Sequence, residues 1–465
     1  MQHKSKKKES QKSQVRFEFT EKMLTSFGGT ASIFSDLIKK IKLQEFIESN
    51  FPIQEISNNS TGTYSKLISL FITIMNGGTR FSHMNLLNRD REIMQKCFQL
   101  EKLPSSSTSL TRFWNKFYKQ SHNEELLKMC FKFVRMLLSN LEIKQDSVRF
   151  DSTVITRYGK QEGAKRGYNP SKKGRLSHQP QIAFSGSGFA VNMWNRSGNV
   201  SSRNGIIDFF NQTISQLEDM KITRILADSG YYVSQFIDHL EDKGYQYVVS
   251  APIITTLQWK IYHNTSWTKI SEGIDVCEFD FQHAALGWDK KRRYVAVRQE
   301  TKRRPEATGK KFSIFDNQDE YNSYRHHLMI TNDISSTPEE IWNYYKPRSN
   351  DENIIENLKN SFGFDAFNLD SFWGTEAVLM TICLIFHNLY VFLLKKIRKT
   401  GSPQEKLRTF RMNFLIIPGI LGKDGRIDVL RLGVRNSKIK LRFMEIIEII
   451  KNTSLNLYCN AVQVT

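Results

Sequence analysis

Apolar positions recur along this chain with two different periods, and the switch between them divides it. From residue 17 to about 143 the spacing is helical. "IFSDLIKKIKLQEFI" carries an apolar face from near Ser32, and "YSKLISLFITIMNGG" carries a second that stops at Gly77-Gly78, a C-terminal signal. In "LPSSSTSLTRFWNKFYKQ", Pro104 and the serines form a turn. Ser109 or Thr108 is placed to cap a short helix bearing Arg112, Lys116 and Lys119. This stretch suits the opening of a helix-turn-helix and a plain capped helix equally well.

From Gln145 the period shortens. "DSVRFDSTVITRYG" alternates around Phe150 and Val154 and reads as β structure. "QIAFSGSGFAVNMWNRSGN" predicts two strands around the tight turn Ser185-Gly186-Ser187-Gly188. "IIDFFNQTISQLEDM" is an amphipathic helix, "ITRILADSGYY" a strand ending in a turn, "SQFIDHLEDKG" a helix with a glycine stop, and "YQYVVSAP" another strand. The order β-β-β-α-β-α-β predicts a mixed α/β sheet. From Pro252 to about 320, short alternating segments such as "VCEFDFQH" and "RRYVAVRQE" predict a β-rich insertion. "HHLMITND" resumes as a strand, and helices follow from Pro338. Beyond 400 a hairpin is expected around Asp424-Gly425, then the helical end "RFMEIIEIIKN". The expected units are a basic tail (1–16), a helical domain (17–143), a core in two parts (144–251 and 321–399) around the insertion (252–320), and a C-terminal hairpin and helix (400–465).

The most apolar run, "AVLMTICLIFHNLYVFLL" at 377–394, is long enough to span a bilayer. It contains His387 and Asn388 and follows Glu376 closely. The expectation is a buried core helix and no membrane partner.

Composition adds a partner class. The chain has 465 residues and a formal charge of +20, which favours a polyanionic partner: DNA, RNA or an anionic membrane. Five cysteines, widely spaced and without a C-x-x-C, predict reduced thiols in a cytosolic compartment and exclude a disulfide framework. "MQHKSKKKESQKSQVR" has no apolar run after its lysines, so it reads as a basic tail rather than a secretory signal.

Three carboxylates stand out. Asp151 falls inside a predicted buried strand, where an acid is costly unless it is paired or binds a metal. Asp228 ends an apolar strand, at the edge where α/β sheets bind ligands. Glu352 lies on a helix that Pro347 is suited to begin. At about 100° per residue, Arg348, Glu352 and Lys359 share one polar stripe, beside an apolar face of Ile354, Leu358 and Phe362. Tyr345 precedes the proline. Hard oxygen ligands on two strands and a helix suit Mg²⁺ or Mn²⁺, and two such ions suit in-line displacement at phosphorus. Just after Asp151, a basic segment carries Arg157, Lys160, Lys165, Arg166, Lys172, Lys173 and Arg175, with Tyr158, Tyr168 and His178 interleaved. It is expected to track phosphates.

The spacing Y-(2)-R-(3)-E-(6)-K at Tyr345, Arg348, Glu352 and Lys359 resembles the signature of a branch of DDE transposases from bacterial insertion sequences. "FDSTVITRYGKQEGAKRGYNPSKKGR" and "LADSGYY" are similar to that branch's two aspartate regions, and "LTSFGGTA" and "LPSSSTSLTRF" to its N-terminal segments. The resemblance implies an RNase H-like mixed-sheet core with a β-rich insertion and an all-helical N-terminal domain that binds the transposon ends. It implies that Asp151, Asp228 and Glu352 are the catalytic, metal-binding triad, holding two Mg²⁺ (or Mn²⁺) ions. Tyr345, Arg348 and Lys359 are then contacts to the DNA phosphate near the cut. The implied activity is metal-dependent cleavage and strand transfer, by a homodimer joining two ends and target DNA in a bacterial, nucleoid-associated cytoplasmic setting. Trp259, Trp267 and Trp288 lie in the insertion, where some relatives trap a flipped base, although a structural role suits each of them. A DNA-binding regulator without catalysis, derived from such an element, is the alternative. The two are separated by whether the three carboxylates converge.

Overall fold

The computed structural model describes residues 17–55, 57, 59–312, 323–398, 405–453 and 455. The basic tail and Cys459 lie outside the described residues. In chain order the strands are β1 (Leu24–Thr25), β2 (Gln145–Ser152), β3 (Ile155–Thr156), β4 (Lys165–Arg166), β5 (Leu176–His178), β6 (Gln181–Ser185), β7 (Ala190–Trp194) and β8 (Lys221–Ala227). They continue with β9 (Tyr247–Ser250), β10 (Thr268–Ser271), β11 (Ile274–Phe281), β12 (Arg292–Glu300), β13 (Tyr324–Thr331), β14 (Gly419–Asp424) and β15 (Ile427–Leu432).

Nine of these form one mixed sheet in the order β10-β11-β12-β13-β9-β8-β2-β6-β7. β2 is its hinge of direction: it runs parallel to β8 and antiparallel to β6. Val148 and Phe150 face one side of β2, and Arg149 and Asp151 the other, because successive side chains alternate. The turn between β6 and β7 is where glycine spacing places it, and Gly188 takes a φ of +92° there. The segment 252–320 opens with a helix, Thr255–Tyr262, and its strands β10 to β12 extend the central sheet through β13.

The N-terminal helices differ in detail from their periodic pattern. The first apolar stripe is two helices, Gly28–Lys40 and Leu43–Asn50, broken at Lys42 with a φ of 45°. The helix predicted to start at Ser109 or Thr108 runs Ser107–Trp114. Its N-cap is Ser106, whose side chain makes no capping bond. Leu110, Phe113 and Trp114 bury it in the common core.

The apolar run is the spine of the molecule. A continuous helical segment, Phe372–Ile397, has a mean hydropathy of 2.2 and is buried throughout. It is long and apolar enough to cross a membrane, but protein covers it on every side. Its middle, Thr381–His387, is π-helical. Asn388 follows, and its amide treats the edge strand β7 as a neighbouring strand would: Oδ1 accepts from Ala190 N–H at 2.9 Å and Nδ2 donates to Ala190 C=O at 2.7 Å. Nearer the start, the buried Glu376 accepts from Asn195 N–H (2.8 Å) and from Asn123 Nδ2 of the helix Gln120–Ser139 (2.7 Å). Burial pushes its carboxyl up to about 7, against the pull of those two donors.

The C-terminal segment closes the core. Gly28 and Gly29 begin the first helix against residues 414–419. A Cβ on Gly29 would lie 1.9 Å from the Phe414 carbonyl oxygen, so only glycine fits. Arg411 donates to the carbonyls of Met75 (2.7 Å), Ile74 (2.9 Å) and Ser361 (3.0 Å). It thus satisfies end groups of the helices Thr63–Met75 and Ser349–Phe362 together. The hairpin β14–β15 turns at Gly425-Arg426, with Asp424 opposite Ile427, and β1 adds a third strand.

Candidate active site

The site begins with register. Phe150 of β2 pairs with Ala227 of the parallel β8, so Asp151 on β2 and Asp228 just past the end of β8 emerge side by side. This is the carboxyl end of the parallel pair, beside the point where strand direction reverses. Asp151 is 6 % exposed. Its Oδ1 accepts from Ser152 N–H at 2.7 Å. The Asp228 side chain accepts from Gly230 N–H at 2.8 Å and fixes the turn after its strand.

Arg348 joins the two. One guanidinium nitrogen lies 3.1 Å from Asp151 Oδ2 and 3.5 Å from Asp228 Oδ2. Burial raises the Asp151 carboxyl to about 6; Arg348 lowers it, while the charges of Asp228 and Glu352 add to the rise. Arg348 is itself buried, yet these carboxylates hold it firmly protonated.

The helix expected to start at Pro347 starts two residues later. Lys346–Arg348 is a short 3₁₀ turn between the helices Pro338–Tyr345 and Ser349–Phe362. Tyr345 therefore ends the preceding helix, as its place before the proline suggested. It packs with Leu226 and Val248 on one face of the sheet. Burial raises its phenol, and Arg348, Asp228 and Asp151 all act on it electrostatically. Arg348 belongs to the 3₁₀ turn rather than to the helical stripe. Ile354, Leu358 and Phe362 seat the following helix as predicted. Lys359, half-buried, donates to the Val154 carbonyl at 2.9 Å, just beyond β2. Burial lowers its ammonium, and Asp365 and Asp151 oppose that shift.

Glu352 stands on the exposed side of the first helical turn. Among the described residues, no three His, Cys, Asp or Glu side chains converge on a common point for a metal ion. Two carboxylates do converge on one cationic group, and their donor set, hard oxygens with uncompensated negative charge, fits a divalent cation.

A fourth carboxylate, missed from the sequence, lies beside them. Asp351 is fully buried and 2.9 Å from Arg149 Nε on β2. The contact is ionic rather than an aligned hydrogen bond: Arg149 Nε and both Asp351 oxygens lack a hydrogen-bond partner. Burial raises the Asp351 carboxyl to about 7, with Arg149 opposing the shift. The signal was available, since 351, 354 and 358 are spaced i, i+3, i+7 on the apolar stripe.

The basic segment divides. Lys160, Lys165, Arg166, Lys172, Lys173 and Arg175 are exposed on and around the small sheet β3-β5-β4. The exposed Tyr158 lies under Arg175, 5.9 Å from ring centre to guanidinium, and Tyr168 is exposed nearby. Arg157 departs from the expected phosphate contact. It is buried, donating to His178 Nδ1 (3.2 Å) and to the Asp365 carbonyl (3.4 Å). His178, in turn, contacts the Glu162 carbonyl at 2.9 Å through its other ring nitrogen. Of the three tryptophans in 252–320, Trp288 is buried against Tyr232 (4.6 Å between centroids), Trp267 lies under Arg298, and Trp259 is half-exposed beside His263.

Residues 7–454 match the family described as transposase DDE domain group 1. No curated protein matches the chain. Among solved structures, it is similar to a piggyBac transposase synaptic complex with hairpin DNA, with a TM-score of 0.41 and 11 % identity, over 93 % of this chain and 85 % of that one.

Proposed function

We propose, because this chain belongs to the transposase DDE family, that it binds the terminal inverted repeats of a bacterial insertion sequence, cuts the DNA there and joins the freed end to target DNA. The observation that carries this reading is the pair Asp151 and Asp228, issuing side by side from adjacent parallel strands and sharing one cationic group. The strand order β7-β6-β2-β8-β9 supports an RNase H-like core.

In this reading Asp151 and Asp228 hold the divalent cations, Mg²⁺ or Mn²⁺, and Glu352 turns inward from its helix to supply the third carboxylate. Such ions, two in the full set, would activate a water or a 3′-hydroxyl and offset charge at the phosphorus. Arg348 passes from the aspartates to a phosphate oxygen, a planar donor suited to that exchange. Lys359 and Tyr345 flank it with a further cation and a hydroxyl. The exposed lysines and arginines of 160–175 track the backbone away from the cut, and the helical segment 17–143 engages the repeats. Two protomers hold two ends.

Among the described residues the three carboxylates do not converge as the catalytic reading expects, because Glu352 is exposed, and this favours one second reading, a DNA-binding regulator without catalysis. Purified protein, Mg²⁺ and a duplex carrying the element's own ends separate the two. Cleavage by the native chain is expected, with losses of a thousandfold or so in Asp151→Asn, Asp228→Asn and Glu352→Gln and end binding retained in all three. Binding without cleavage by the native chain would favour the regulator, and full activity in the three variants would remove the triad.

A further inference from the structure

The helix Ser349–Phe362 is seated mainly by apolar side chains, Ile354, Leu358 and Phe362. Such contacts are non-directional. They hold a helix against a sheet but leave it some freedom to slide or rotate. Hydrogen bonds made by Lys359 and the Ser361 carbonyl hold its later turns, and at the end that matters one buried ionic contact limits that freedom. Arg149 lies two residues before Asp151 on β2, so both side chains face the same side of the sheet. Asp351 immediately precedes Glu352 on the helix. The Arg149–Asp351 contact (2.9 Å) thus ties the strand of one proposed metal ligand to the helical turn of another.

The guanidinium is itself anchored, because Arg149 Nη2 donates to the Ser185 carbonyl of β6 at 2.9 Å. The tie is therefore referenced to two strands of the central sheet. A buried ion pair is a poor device for stability: desolvation offsets its attraction, and apolar residues of similar size often serve as well. Its best-attested use is to fix register. The first turn of this helix has no side-chain cap to perform that task, since its N-cap, Arg348, makes no capping bond.

We infer that Arg149 and Asp351 are positioning residues, which set the depth and rotation at which Glu352 meets Asp151 and Asp228. This rests on the reading of Glu352 as the third carboxylate. The experiment therefore starts with Glu352→Gln, measuring Mn²⁺ binding to the full chain by calorimetry alongside cleavage of the end-containing duplex. If Glu352→Gln changes neither, the triad reading fails and not the tie.

Given an effect of Glu352→Gln, the pair is replaced together by Arg149→Met and Asp351→Leu, so that no buried charge is left alone. The expected variant melts within a few degrees of the native protein and binds Mn²⁺ at least about tenfold more weakly, the scale of lost ligand support. Added to Glu352→Gln, the same replacement should weaken Mn²⁺ binding no further, because the tie acts through that residue. Where the double replacement does not fold, Asp351→Glu keeps the charge but moves the contact by one methylene, and the same pattern is expected. Native Mn²⁺ affinity in the folded variant, or an equal loss with and without Glu352, would overturn the inference.

Discussion

Arg348 is the residue on which the site's electrostatics turn. It is buried between two aspartates, one of them nearly inaccessible to water. Truncating it leaves those carboxylates facing each other, and breaking a buried pair costs about 3–5 kcal/mol. Arg348→Ala is thus expected to melt well below the native protein without divalent cations. Mn²⁺ should then raise its melting temperature by more than it raises the native protein's, since the ion supplies the missing charge. Equal increments in a thermal scan would count against a shared cation site. At this scale the sequence was only partly legible. Asp151 and Asp228 stood out because an acid on or ending an apolar strand is conspicuous. Asp351 did not, because Glu352 beside it fitted a known spacing. Arg157 was read with its basic neighbours, yet it is the member of that run that turns inward to His178.

Among the elements, the spine helix carries a measurable acid. Glu376 has its carboxyl raised to about 7 in the fold, against an ordinary value of 4.5. Between those values the folded chain keeps a proton that the unfolded chain loses, so this group makes stability fall as pH rises from about 4.5 to 7. Glu376→Gln should abolish that slope, with little change at pH 4.5 and a higher melting temperature at pH 8. Oε1 of the new amide can keep the bond from Asn195 N–H, while turning Asn123 over to accept from its Nε2 would give up the bond to the Trp373 carbonyl, so the gain at pH 8 is expected to be partial. An unchanged pH profile would show that another group sets it. Elements with a local signature were readable in advance: the turn at Gly188, the hairpin after Asp424, and a buried helix at 377–394. What was not readable depends on distant partners. Nothing local in "VCEFDFQH" or "RRYVAVRQE" says that β11 and β12 will extend the same sheet as β2. Nor does helical periodicity reveal a break at Lys42, or a 3₁₀ turn that takes Arg348 off its stripe.

For the molecule as a whole, the large positive charge has a place to act. The exposed cations of 160–175 follow Asp151 along the chain and lie on and around a small sheet, β3-β5-β4, which the exposed Tyr158 and Tyr168 also adjoin in sequence. If they follow phosphates, replacing Lys165, Arg166, Lys172 and Lys173 by alanine should weaken DNA binding across sequences. It should also flatten the plot of log affinity against log salt by about three to four. An unchanged slope would move the phosphate contacts elsewhere on the surface. The closing role of Arg411 has a further consequence, for how the chain is made. Its contacts with Ile74 and Met75 join residues more than 330 positions apart. During synthesis the N-terminal helices leave the ribosome long before that arginine exists, and so does the strand of Asp151. A nascent or truncated chain therefore holds both aspartates without the segment that locks the Ser349–Phe362 helix to its neighbours. In the catalytic reading, the helix that carries Glu352 is therefore expected to stay unlocked until the segment bearing Arg411 has been made.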